Sequence, residues 1–206
     1  MTAPQTPGDV TVDVVFPVDG QTLPRDHAQA LQQALCAQMP WLGTETLAGV
    51  QPIKLVPGGD EPALLSRRAR LLLRVGARRM DELMALAGLD LSVDGHRLRL
   101  GAPHKRELQP HATLYAYKVA ADSADEVAFM ATVTRELDTL AIGGERVCGK
   151  RQRMVISGRV LDTFSLMLHA LPEEQSLRLQ RSGLGPHRLL GCGIFVPHKS
   201  AAAVGS

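Results

Sequence analysis

From Val10 to Phe16, Val10, Val12, Val14 and Phe16 fall on one side of an extended chain and Thr11, Asp13 and Val15 on the other. That alternation predicts a half-buried strand, ended by Pro17 and the Asp19-Gly20 turn. The period then changes: Ala28, Leu31, Leu35, Met39 and Leu42 recur at helical spacing and predict a helix with one apolar stripe, closed by Pro40 and Gly43. Asp26 with Gln29 can cap it, or Thr22 with Pro24 one turn earlier. Val50 to Val56 and Ala69 to Val75 read as strands joined by the loop PGGDEPALLS. A short helix follows from Ala77 to Ala87, stopped by Gly88, and a hairpin from Leu89 to Leu100 around Asp94-Gly95, a type I′ turn signal.

The same order returns in the second half. Thr113 to Val119 is a strand, and Ser123 with Glu126 form a capping box for a helix from Ala124 to Ile142, ended by Gly143-Gly144. Arg146 to Ile156 and Arg159 to Ala170 are two long strands hinged at Ser157-Gly158, Leu177 to Arg181 is a short helix, and Leu189 to Val196 is a last strand. Two rounds of strand, helix, two strands, helix, strand predict an α+β chain of two tandem ferredoxin-like (βαββαβ) halves. The expected organisation is residues 1–102, a linker at 103–111 rich in Pro and polar residues, residues 112–198, and a tail at 199–206.

Composition narrows the functions open to such a chain. It has 206 residues, 45% of them hydrophobic, enough for two cores. Aromatics are only 3%, which argues against binding mainly by stacking, and no pair of sheet aromatics of the kind that holds single strands is expected. A net charge of +2 is too mild to announce a polyanion by itself, so any basic footprint must come from clustering. Cys36, Cys148 and Cys192 share no metal or disulfide spacing and read as small core residues of a reducing compartment. No run spans a bilayer and the polar start lacks the regions of a signal peptide, so a cytoplasmic location without membrane partners is expected.

The richest stretch lies from Ser176 to Lys199. Gly183, Gly185, Gly191 and Gly193 ask for tight turns and close backbone approach, and Arg178, Arg181, His187, Arg188 and Lys199 stand around them. Backbone N–H groups beside cations suit an anion, phosphate above all. The same glycines also fit a helix C-cap followed by a β-bulge.

Two ferredoxin-like halves ending in SGLGPHRLLGCGIF resemble the RAMP superfamily of CRISPR systems. Within it, VDVVFPVDGQTLPRDHAQALQQAL at the front and LRLQRSGLGPHRLLGCGIFVP at the back resemble the type I CRISPR repeat-processing endoribonucleases. That resemblance implies a protein that binds the hairpin of the repeat transcript, cuts at its 3′ base without metal or cofactor to leave a 2′,3′-cyclic phosphate, and holds the mature crRNA for other subunits of a surveillance complex.

Such chemistry needs a base for the 2′-OH proton, an acid for the departing 5′ oxygen and positive charge on the phosphorane. His27 falls in the first turn of the first helix, where the helix dipole favours a neutral imidazole and attracts a phosphate, and Arg25 stands two residues before it. A surface histidine at a helix start would look the same. For the second catalytic group Tyr115, Lys118 and Arg153 are candidates. Arg146, Lys150, Arg151 and Arg153, with Arg159, are placed to contact phosphates from the long strand pair, and Arg67, Arg68, Arg70, Arg74, Arg78 and Arg79 form a second basic group. Each of these could equally be a solvated strand face.

Three other readings stand beside the nuclease. His111 in HATL and His198 in HKS match the paired motif of two-histidine cyclic phosphodiesterases. A non-catalytic RNA-holding subunit would keep the footprint without the histidine's chemistry. Metal catalysis would have to use His104 and His111, which lack a recognised ligand spacing.

Overall fold

The alternation at the front becomes β1 (Thr11–Asp19), in which Val12, Val14 and Phe16 are almost fully buried. The structure, a computed structural model, describes residues 10–198; the expected tail at 199–206, with Lys199 and Ser200, lies outside the described residues. Two compact units meet at Glu107/Leu108 in the sequence.

In the first unit β1 is followed by β2 (Thr22–Leu23), α1 (Ala28–Gln38), β3 (Gly49–Gln51), β4 (Ala63–Leu64), β5 (Arg70–Gly76), α2 (Met80–Met84), β6 (Asp90–Val93), β7 (His96–Leu100) and β8 (His104–Glu107). The sheet runs β3-β5-β1-β7-β6, every pairing antiparallel, while β2 and β4 form a separate ribbon. Leu31 and Leu35 of α1, Leu83 of α2, and Leu71, Leu73, Leu98 and Leu100 of the sheet are fully buried or nearly so. Asp94 and Gly95 take φ of 51° and 79°, the left-handed values a type I′ hairpin requires.

Three expectations need correction here. The strand expected from Val50 to Val56 stops at Gln51, because Pro52 has no N–H to continue the ladder. The helix expected from Ala77 to Ala87 is a 3₁₀ turn at 77–79 leading into five residues of α2. The expected linker at 103–111 contains β8, which pairs with Val12–Val15 of β1. Its HKRE sequence is exposed throughout and carries no apolar alternation to betray it; edge pairing alone makes it a strand.

The second unit contains β9 (Leu114–Ala121), α3 (Glu126–Thr139), β10 (Glu145–Ile156), β11 (Arg159–His169), α4 (Glu173–Ser182) and β12 (Val196–Pro197). Its sheet runs β10-β11-β9-β12. In both units the strand after the first helix lies outermost, beside its successor, which pairs with the unit's first strand. The tandem ferredoxin-like expectation therefore holds. The core gathers Phe129, stacked on Phe164 with centroids 4.7 Å apart, with Leu137, Leu166, Leu179 and Phe195. The cap of α3 is Asp125 rather than Ser123: its carboxylate accepts the Val127 N–H at 2.9 Å, and the Ser123 hydroxyl accepts the Asp125 N–H instead. The last strand shrinks to two residues because Gly191 and Gly193 have φ of 86° and 66°, incompatible with a continuous ladder. No helix of the described residues is long and apolar enough to cross a membrane.

Candidate functional site

His27 is the cap residue of α1, but its imidazole does not stand at the surface. It is 3% exposed, with Nδ1 2.9 Å from the Pro24 carbonyl and Nε2 accepting the Ile53 N–H at 3.1 Å. Both contacts are hydrogen bonds only when the proton sits on Nδ1. The cause lies 26 residues away: with Pro52 ending β3, the buried Ile53 amide needs an acceptor, and the histidine supplies it. This corrects the alternative of a surface histidine at a helix start, and sets His27 at the cap rather than in the first turn of α1.

Residues 52–62 form a strap that also holds Arg25. Its backbone N–H donates to Glu61 Oε1 at 3.2 Å, and its Nε donates to the Asp60 carbonyl at 3.1 Å. Arg25 and His27 are thus brought together under one segment, Arg25 at its rim and His27 beneath it.

The glycine-rich loop does not present a bare cradle of amides. The Leu184 N–H donates to Gly193 O, the Gly193 N–H to Lys118 O, and the Gly185 N–H to the Glu136 carboxylate at 2.9 Å. A Cβ on Gly183 would overlap the Arg188 guanidinium and Gly193 O, and one on Gly193 would overlap Leu184 O. The glycines are there for close backbone approach, so the expected phosphate nest is occupied by the protein's own acceptors.

The cations divide in the same way. Arg188, 8% exposed, donates to the Ser182 and Arg181 carbonyls, and Arg178 donates to Leu140 O and Ala141 O beyond the end of α3. Both hold the fold, against the expectation of phosphate contacts. Arg146 is tied to Thr134 and Asp138 of α3. Arg151 and Arg153 share Asp162, yet Arg153 stays 67% exposed, and Lys150 and His187 face solvent; Arg181 is half-buried.

The second basic group also splits. Arg74 is fully buried against Asp13, to which Arg106 also donates. Arg78 and Arg79 pair with Glu45, and Arg79 lies 4.4 Å over Trp41. Arg68 and Arg70 instead join Lys54 and Arg106 around a cleft of about 520 Å³ floored by Val15 and Leu72. Lys54 and Arg106 could not be grouped with them from sequence, since only the sheet brings them together.

Against expectation, aromatic rings do meet on the second sheet. Tyr115 and Tyr117 are edge-to-face with centroids 5.0 Å apart, and the His198 ring lies 5.2 Å from Tyr115. The candidate acid–base partners Tyr115, Lys118 and Arg153 all belong to the second unit, His27 to the first. His111 donates its backbone N–H to the Ser176 hydroxyl, and His198 donates its own to Thr113 O. Among the described residues no group of three or more His, Cys, Asp or Glu side chains gathers closely enough to hold a metal.

A sequence model of the family described as Cas6 Crispr matches residues 12–200. A protein from Myxococcus xanthus (strain DK1622) named CRISPR-associated endonuclease Cas6 is 37% identical over 198 residues, covering 96% of this chain and 86% of that protein. Among solved structures, one described as CRISPR associated protein Cas6 superposes with a TM-score of 0.69 at 9% identity, over 92% of this chain and all of that one. A Cas6-related protein from Pyrococcus furiosus gives 0.63 at 10% identity, covering 90% and 98%. Thermus thermophilus Cse3, bound to an RNA representing a pre-cleavage complex, gives 0.51 at 17% identity, covering 91% and 98%. At such identities these structures share the fold.

Proposed function

Because this chain belongs to the Cas6 family of CRISPR-associated endonucleases, we propose that it binds the hairpin of a CRISPR repeat transcript and cuts it by internal transesterification, without metal. The 2′-oxygen attacks the adjacent phosphorus as its proton passes to a base, the 5′-oxygen leaves with a proton from an acid, and the products are a 2′,3′-cyclic phosphate and a 5′-hydroxyl. The mature crRNA then stays bound, for transfer into an effector complex with other type I subunits. Kinship with a named endonuclease across almost the whole chain carries this reading.

His27 is the base we assign, and Arg25 steadies the phosphorane. The Nδ1–H tautomer already leaves the Nε2 lone pair as the acceptor; Ile53 N–H occupies it and must withdraw for a ribose hydroxyl to enter. A second reading draws on the 3% exposure: His27 is a clip that seats the strap, and the base lies elsewhere.

Purified protein incubated with repeat-hairpin RNA in chelator, with analysis of product ends, tests the reaction: a cyclic phosphate is expected, and a 3′-hydroxyl or no cleavage overturns it. His27→Ala should abolish cutting while hairpin affinity stays within about two-fold. His27→Gln separates the two roles, since a Gln Oε1 can still accept the Ile53 N–H but cannot act as a base at neutral pH. Cutting restored by Gln overturns the assignment of His27 as base in favour of the clip.

A further inference from the structure

Both tyrosines of the chain stand on β9, two residues apart and therefore on one face of the sheet, opposite the buried Leu114, Ala116 and Val119. Tyr115 is half-buried and Tyr117 is 47% exposed. β12 adds a third ring: its register sets Val196 against Tyr115, and His198 follows with its imidazole 5.2 Å from the Tyr115 ring. A half-exposed tyrosine with one edge braced by a second ring is a rigid, amphipathic platform, and the core makes no use of its outer surface.

The backbone beneath is irregular. The β9–β11 ladder slips between Phe164 and Leu166, so Tyr117 and Lys118 together oppose Ser165. Within that bulge the Tyr117 carbonyl accepts the Gln152 side-chain amide, which reaches from β10 and donates to it at 3.0 Å. An amide side chain thus lies at the foot of the exposed ring, and the partly exposed Lys118 follows it in the bulge. On this side of the long strand pair Lys150, in the β10 bulge opposite Ser165, and Arg159, on the same alternation as Ser165, are exposed, whereas Arg151 and Arg153, set against Phe164 and Asp162, alternate onto the helix side.

We infer that this face is a stacking site for one unpaired nucleobase of the RNA flanking the hairpin. The Tyr117 ring takes the base, Gln152 can reach its edge, and Lys118 meets its phosphate; the inference rests on the RNA reading above. A π-face accepts any base, so the site anchors the flank without reading its sequence, while Lys150 of β10 and Arg159 of β11 supply charge complementary to the strand.

The test compares binding of two RNAs, the repeat hairpin with single-stranded flanks and the same hairpin trimmed flush, to the full-length protein and to variants of Tyr117, with 2-aminopurine in the flank reporting stacking by quenched fluorescence. The unaltered protein should prefer the flanked RNA by about ten-fold. Tyr117→Ala should remove that preference and the quenching without changing affinity for the trimmed hairpin, and Tyr117→Phe should retain both. A preference unchanged in Tyr117→Ala overturns the site, as does a loss in Tyr117→Phe equal to that in Tyr117→Ala. An unaltered protein that binds neither RNA overturns the RNA reading itself, a result that needs no variant and so is distinguishable.

Discussion

The strap over His27 and the glycine-rich loop both occupy places where the sequence promised an anion, and both are filled by the protein's own groups, but by different physics. In the loop, backbone meets backbone: the Leu184 N–H donates to Gly193 O, and the two residues contact at a spacing that admits no Cβ, with the Arg188 guanidinium sealed against Gly183. In the strap the contacts around Arg25 are side-chain contacts at a half-exposed rim, and a Cβ on Gly59 would meet nothing within 4 Å. The loop is a lock and the strap a cover. Anion-binding promise in a sequence therefore says nothing about whether the groups that fulfil it can be displaced; how they are packed decides that.

Thiol labelling should show the largest contrast. Cys192 sits in the loop, fully buried, and burial pushes its thiol up to about 11. Only the thiolate reacts, and burial keeps the folded Cys192 almost wholly as the thiol; once the loop opens the burial is gone, so labelling through the open state should rise about ten-fold per pH unit only until near the ordinary thiol value of about 8.5. If the loop opens only with global unfolding, Cys192 should react at least about a thousand-fold more slowly than a thiol placed in the strap by Gly59→Cys. Comparable rates at one pH would mean that the lock opens as freely as the cover. Cys148, also pushed up to about 11, by burial first and then by the Glu126 carboxylate, is half-exposed and separates the effect of titration from that of opening.

Stability should follow the same division. Gly183→Ala and Gly193→Ala each force a Cβ into occupied space at a positive φ and should cost about 3 kcal/mol in urea unfolding. Gly59→Ala should stay within about 0.5 kcal/mol. Equal costs at the two places would dissolve the comparison.

What could be read from sequence was whatever local chemistry dictates. The β1 alternation and the Asp94-Gly95 turn are short-range facts, and the doubled order of elements followed from them. The parts that escaped reading depend on partners distant in sequence. β8 is a strand because β1 has an edge to fill, and Arg106 reaches the cleft only through that pairing. His27 is buried because a proline far downstream leaves an amide needing an acceptor. The i, i+2 spacing that sets Tyr115 and Tyr117 on one face is legible in the sequence, but the bulge that sets off Tyr117 and the register that brings His198 to Tyr115 are not. The glycines signalled close approach correctly; that the approaching group is Leu184 rather than a phosphate could not be told from spacing.

The smallest effect expected is also the one that bears most directly on the strap as a cover. Glu61 places a carboxylate on the Arg25 backbone N–H, at 3.2 and 3.4 Å, and 3.9 Å from the guanidinium Nε, where it competes with a phosphate oxygen for the same cation. The carboxylate side chain is 57% exposed, so removing it exposes no core and should leave unfolding within about 0.5 kcal/mol. The competition it offers is that of one exposed charge-assisted hydrogen bond, on the order of 0.5–1 kcal/mol, so Glu61→Ala should raise single-turnover cutting at limiting protein by about two- to five-fold. Glu61→Gln should fall between, because it loses the charge but keeps an acceptor. The increase should shrink as RNA approaches saturation, since a competing anion raises the RNA concentration needed rather than the barrier to cutting. A rate lowered by Glu61→Ala would mean that the strap must hold Arg25 for the reaction rather than give way to it, and the contrast between lock and cover would then fail at the end nearest the chemistry.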